Sequence, residues 1–125
     1  MATRKHLNKE KENLKSFNME KKKQNNLLTK EEIFGALRKH RDILLKYKVK
    51  EIGLFGSFVR GEQGEKSDID FFADFEEPSI ENFMGLSFFL ENLFGIKVEI
   101  LTPAGVESIR INHVKEEIKR SIVYA

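Results

Sequence analysis

The sequence has no cysteine and only two prolines in 125 residues. Without thiols there are no disulfides, no thiolate metal sites and no cysteine nucleophile, which fits a reducing compartment. Long apolar runs are missing too, none exceeding four residues, whereas a membrane-spanning helix needs about 20. The N-terminus lacks the apolar segment of a signal peptide, so the expected location is cytoplasmic. The three histidines, His6, His40 and His113, are scattered and lack the spacing of a zinc site.

What is present suffices for one core. Hydrophobic residues make up 40% of the chain, eleven of them Phe, and the length is that of a single domain. The net charge of +2 hides an asymmetry: residues 1–26 carry eight Lys/Arg against three Glu, and the remainder fourteen against seventeen acids. The basic character therefore belongs to an N-terminal extension (1–26), expected to be solvated, with the folded domain over 27–125. A mildly acidic body argues against direct nucleic-acid binding.

Along that domain, Thr29-Lys-Glu-Glu32 is a capping-box pattern that predicts a helix carrying Ile33, Leu37, Leu44 and Tyr47 on one stripe. Val49 to Phe55 reads as a strand. A helix capped by Ser79 and ended by Gly95 follows Pro78, with Phe83, Leu86, Leu90, Leu93 and Phe94 at helical spacing. Ile96 to Thr102 alternates as a third strand, and Thr102-Pro103 opens a last helix through Val106, Ile109, Val114 and Ile118. Ile122 to Tyr124 is expected to end as an edge strand or packed terminus. These elements predict an α+β (α/β) domain, a small mixed sheet with helices packed on one face.

Between the first two strands lies the stretch that carries chemistry. Gly56-Ser57 makes a tight turn into a short helix, and the polar loop Gly61 to Ser67 leads into Asp68-Ile-Asp70-Phe-Phe-Ala-Asp-Phe75. Because a strand alternates its side chains, Asp68 and Asp70 share one face while Ile69, Phe71, Ala73 and Phe75 enter the core. Two carboxylates on one face repel unless a cation lies between them. Facing them, Gly56 admits a close approach and the helix start offers free N–H groups to an anion. Together these residues suggest a site for a metal-chelated nucleotide, with Glu99 on the next strand as a third acid.

Two familiar phosphate loops are excluded. Gly56 and Gly61 have P-loop separation, but Glu62 and Gln63 stand where Lys and Ser/Thr are required, and no G-x-G-x-x-G occurs. Ser57 as a covalent nucleophile would need a base, and no motif supplies one. Phosphate hydrogen bonding or capping of the short helix suits it better.

The combination of Gly56-Ser57, ten residues, Asp68-x-Asp70 and a later strand acid resembles the nucleotidyltransferase superfamily of DNA polymerase beta. Gly56-Ser-Phe-Val-Arg-Gly61, Ser67-Asp-Ile-Asp70 and Val98-Glu-Ile-Leu-Thr-Pro103, in so short a chain, resemble its minimal nucleotidyltransferase branch. The resemblance covers residues 29–124. It implies a polymerase-beta-like fold and, in that branch, the antitoxin of a toxin–antitoxin pair whose toxin is a HEPN ribonuclease. It implies that Gly56 and Ser57, with Arg60 and Ser67 nearby, hold the phosphates of ATP. By the same resemblance Asp68, Asp70 and Glu99 bind two Mg2+ ions and Glu99 accepts the proton of the attacking hydroxyl. Arg60 has two open readings, neutralising phosphate or pairing with an acid. Glu99 departs from the family's usual Asp by one methylene, which strains magnesium's octahedral demands.

The resulting expectation is a Mg-dependent enzyme transferring AMP from ATP to a hydroxyl, a Tyr of the partner toxin. The alternative is an antitoxin with a weak or inactive site that neutralises by contact alone. A small-molecule adenylyltransferase ranks third, because the chain lacks the extra helices such an acceptor site needs. Homo-oligomerisation is left open.

Overall fold

A computed structural model describes residues 28–125. The expected basic extension over 1–26 lies outside the described residues. Ten elements follow in order: α1 (Lys30–Lys39), α2 (Arg41–Lys46), β1 (Val49–Phe55), α3 (Ser57–Arg60), β2 (Ile69–Phe75), α4 (Ile80–Phe94), β3 (Val98–Leu101), α5 (Pro103–Glu107), α6 (Asn112–Ser121) and β4 (Val123–Tyr124).

The four strands form one sheet in the order β3-β2-β1-β4. β1 pairs antiparallel with both β2 and β4, whereas β2 and β3 are parallel. A parallel pair needs a crossover connection, and α4 provides it. Ile69, Phe71 and Ala73 of β2 are fully buried, packed with Ile33, Leu37, Leu86 and Leu90 of the helices. Phe72, on the opposite face, is also buried and meets the ring of Tyr124 edge-on at 6.0 Å.

Local signals explain most boundaries. Thr29 and Glu32 form the capping box, with Glu32 N–H donating to Thr29 Oγ1 at 3.2 Å and Thr29 N–H to Glu32 Oε1 at 3.0 Å. Ser79 caps α4 by accepting from Asn82 N–H at 3.1 Å, and Gly95 ends that helix in the left-handed region at φ 66°.

Two expected helices are each divided. His40 ends α1 and starts α2, its N–H donating back to Ala36 and Leu37 while its ring sits edge-on to Phe89. The last helix breaks after Glu107, where the Ser108 hydroxyl donates to the Gly105 carbonyl at 2.7 Å and engages an acceptor of the last turn. Glu107 then bridges the break with ion pairs to Lys115 and Lys119. β3 begins at Val98, two residues later than the alternation suggests, although the Lys97 carbonyl still accepts from Ile69 N–H at 3.0 Å.

Candidate active site

The sheet register decides what meets what. Phe55, the last residue of β1, pairs with Asp70 near the start of β2, and Asp70 pairs in turn with Glu99 of β3. Side chains of neighbouring strands in register share a face, so Asp70 and Glu99 stand beside each other on the face opposite Ile69 and Phe71. Asp68 precedes β2 by one residue and acts on the same point.

The electrostatics record this convergence. The Asp70 carboxyl is pushed up from 3.8 to about 6, first by burial, then by the negative charges of Glu99 and Asp68, with Arg60 partly opposing. Two acids therefore concentrate negative field at a third, half-buried carboxylate. Among the described residues no three His, Cys, Asp or Glu side chains close into a ready-made metal cage. The donor set is nonetheless all carboxylate oxygen, which suits a hard divalent cation. A cation there would relieve the repulsion that raises Asp70, so the residues fit Mg2+.

Gly56 makes this packing feasible. It turns the chain between β1 and α3 at φ 77°, ψ −152°, in space that side-chain-bearing residues avoid. A Cβ at Gly56 would overlap Asp70 Oδ2 and come within 3.1 Å of its Cγ. The glycine thus serves both the turn and the seat of the carboxylate. Ser57 is the first residue of α3, and its carbonyl accepts from Gly61 and Glu62 N–H groups. The N–H groups that begin such a helix have no acceptor within it.

Other expected residues take loop roles. Arg60 pairs with Glu62 on the surface, the second of its two readings, while its charge still reaches Asp70. Ser67 Oγ accepts from Gly64 N–H at 2.8 Å and its own N–H donates to the Gly64 carbonyl, closing the loop on itself.

Two positions escaped the sequence reading. Glu91 of α4 accepts from Val98 N–H through Oε2 at 3.1 Å, fixing the strand one residue before Glu99. Gln63 donates to the Leu28 carbonyl at 2.9 Å and ties the loop to the start of the domain. The first looks in sequence like an ordinary helix-surface acid, and the second contact joins residues 35 apart, so no local pattern marks either.

Comparison with known proteins places this geometry. The model of the nucleotidyltransferase domain family matches residues 37–125. A Methanocaldococcus jannaschii protein, the candidate protein adenylyltransferase MJ1379, is 45% identical over 100 residues, covering 77% of this chain and 97% of its own. The protein adenylyltransferase MntA of Thermococcus cleftensis is 39% identical over 100 residues, covering 78% of this chain and 97% of its own. Among solved structures, a toxin–antitoxin complex with AMP-PNP superposes with a TM-score of 0.53 at 20% identity, over 70% of this chain and 69% of that one.

Proposed function

The chain belongs to the nucleotidyltransferase domain family, and from that premise we propose that it transfers AMP from ATP to a hydroxyl, a Tyr side chain of a HEPN-type toxin, and so acts as its antitoxin. The observation that carries this reading is the seat of Asp70, wedged against Gly56 and flanked by Glu99, with its carboxyl raised by burial and by neighbouring acids. The names of its relatives, a protein adenylyltransferase and a toxin–antitoxin complex holding a nucleotide analogue, support the acceptor class and the donor.

Asp68, Asp70 and Glu99 would hold Mg2+, which when bound neutralises phosphate charge and aligns the entering and leaving oxygens. Gly56 leaves room for the Asp70 carboxylate, and the Ser57 hydroxyl and the N–H groups opening α3 hydrogen-bond the triphosphate. The acceptor oxygen bonds to the α-phosphorus, the bond to the bridging oxygen breaks, and pyrophosphate leaves. The hydroxyl proton passes to the carboxylate of Glu99, the exposed member of the acidic group.

A second reading is a contact-only antitoxin. It draws on the incomplete carboxylate cage among the described residues and on the longer Glu99. Co-expressing the toxin with an Asp70→Asn antitoxin separates the two. Loss of neutralisation, with the complex still formed, supports transfer; full protection supports masking by contact.

A further inference from the structure

A cleft of about 410 Å³ opens beside the first half of β1, between that strand and α1 and α2. Lys50 in its wall lies five residues before Phe55, the strand's partner to Asp70, which at the usual rise is roughly 16 Å away. The cleft is therefore separate from the acidic site. Buried Leu37, Leu44 and Ile52 line its apolar floor, and Arg38, Arg41 and Lys50 stand at its rim.

Three features set this rim apart. The folded portion carries three more acids than bases, yet here three cations meet a single acidic side chain, Glu51. None of the three makes an ion pair with another described residue. Arg41 also opens α2, where the helix dipole disfavours a cation.

The strand itself is exposed at this point. Pairing with β2 shifts between Val49 and Glu51, which leaves Lys50 as the extra residue of a bulge, a device that re-aims side chains beside functional sites. β4 pairs only with Gly53 and Leu54, so Lys50 has no strand neighbour on either side among the described residues. Leu45, 64% exposed, forms an apolar lip.

Resting on the transfer reading above, we propose that this cleft docks an acidic, leucine-bearing extended segment of the acceptor protein and holds it while the acceptor hydroxyl reaches Asp70. Cations over an apolar floor match a segment that alternates acidic and apolar side chains, and the edge of β1 over Val49 to Glu51, which β4 does not pair, suits an extended chain. Nucleic acid fits less well. Tyr124 is the one aromatic residue lining the cleft, its ring is already packed on Phe72, and the domain carries a net acidic charge.

The test titrates the full chain, isotope-labelled and free of nucleotide, with three probes: a decapeptide alternating Glu and Leu, its Lys–Leu counterpart, and a ten-nucleotide RNA. The expected result is saturable amide shifts at Arg38, Arg41, Lys50 and Glu51 with the Glu–Leu peptide alone. The Arg38→Glu/Arg41→Glu variant should weaken that binding at least tenfold at unchanged Tm. Equal binding by the variant, shifts confined to other surfaces, no binding, or preference for RNA would each overturn the proposal. An Asp70→Asn chain should bind the peptide as the wild type does. Failure of the transfer reading and failure of the docking site are thereby read separately.

Discussion

The carboxylate of Asp70 fills the space that any side chain at position 56 would need, with Asp70 Cγ only 3.1 Å from where a Cβ on Gly56 would lie. One residue thus sets both the turn and the position of the central acid. Gly56→Ala should lose about 1–3 kcal/mol of stability through its φ of 77° and should displace the carboxylate as well. Calorimetric titration with Mg-ATP is expected to show affinity lost at temperatures where circular dichroism still reports a folded chain.

The raised Asp70 carboxyl gives a pH signature. Its value of about 6, against 3.8 ordinarily, means the folded state holds this proton more tightly than the unfolded state. The stability it contributes is full below about 4 and is lost as pH rises through about 6. Asp70→Asn should therefore raise Tm at pH 7.5 and change it little at pH 4, while abolishing transfer. Thermal melts of both proteins at the two pH values check this.

The same carboxyl reports on its neighbours. Glu99→Gln removes the larger of the two repelling charges, so carbon-detected NMR should find the Asp70 titration moved down towards 3.8. If Glu99 takes the proton from the acceptor, transfer should also fall by about 10²–10⁴-fold. An unmoved Asp70 titration would separate the two residues.

Glu91 positions β3 through the Val98 amide. Glu91→Ala leaves that donor without its acceptor and should cost about 1–3 kcal/mol, with faster hydrogen exchange at Val98. Glu91→Gln keeps an acceptor oxygen and should restore most of the protection. Equal exchange in both variants would deny the contact its role.

Much of the fold was legible because its signals are local. The capping box at Thr29, the alternation of β2 and the Ser79 and Gly95 caps each act within a few residues, and each stands where expected. Asp68, Asp70 and Glu99 could be paired because strand alternation fixes which face a side chain takes. The breaks at His40 and Ser108 were not legible, since apolar spacing continues across both and only hydrogen bonds to particular carbonyls divide the helices. Ser67, which the resemblance assigns to phosphate, also closes the loop onto Gly64 through its hydroxyl. Serine in a glycine-rich loop carries no mark that distinguishes these uses. Glu91 and Gln63 depend on contacts between elements, beyond the reach of any local pattern.

AMP transfer to a protein hydroxyl changes the mass of the acceptor, which intact mass spectrometry reads without a label. The chain would be purified with its toxin partner and the partner weighed before and after incubation with Mg-ATP. The partner is expected to gain the mass of one or more AMP units on a Tyr, and the Asp70→Asn chain to add none. A stable complex whose partner never changes mass with any of the four nucleoside triphosphates would contradict it.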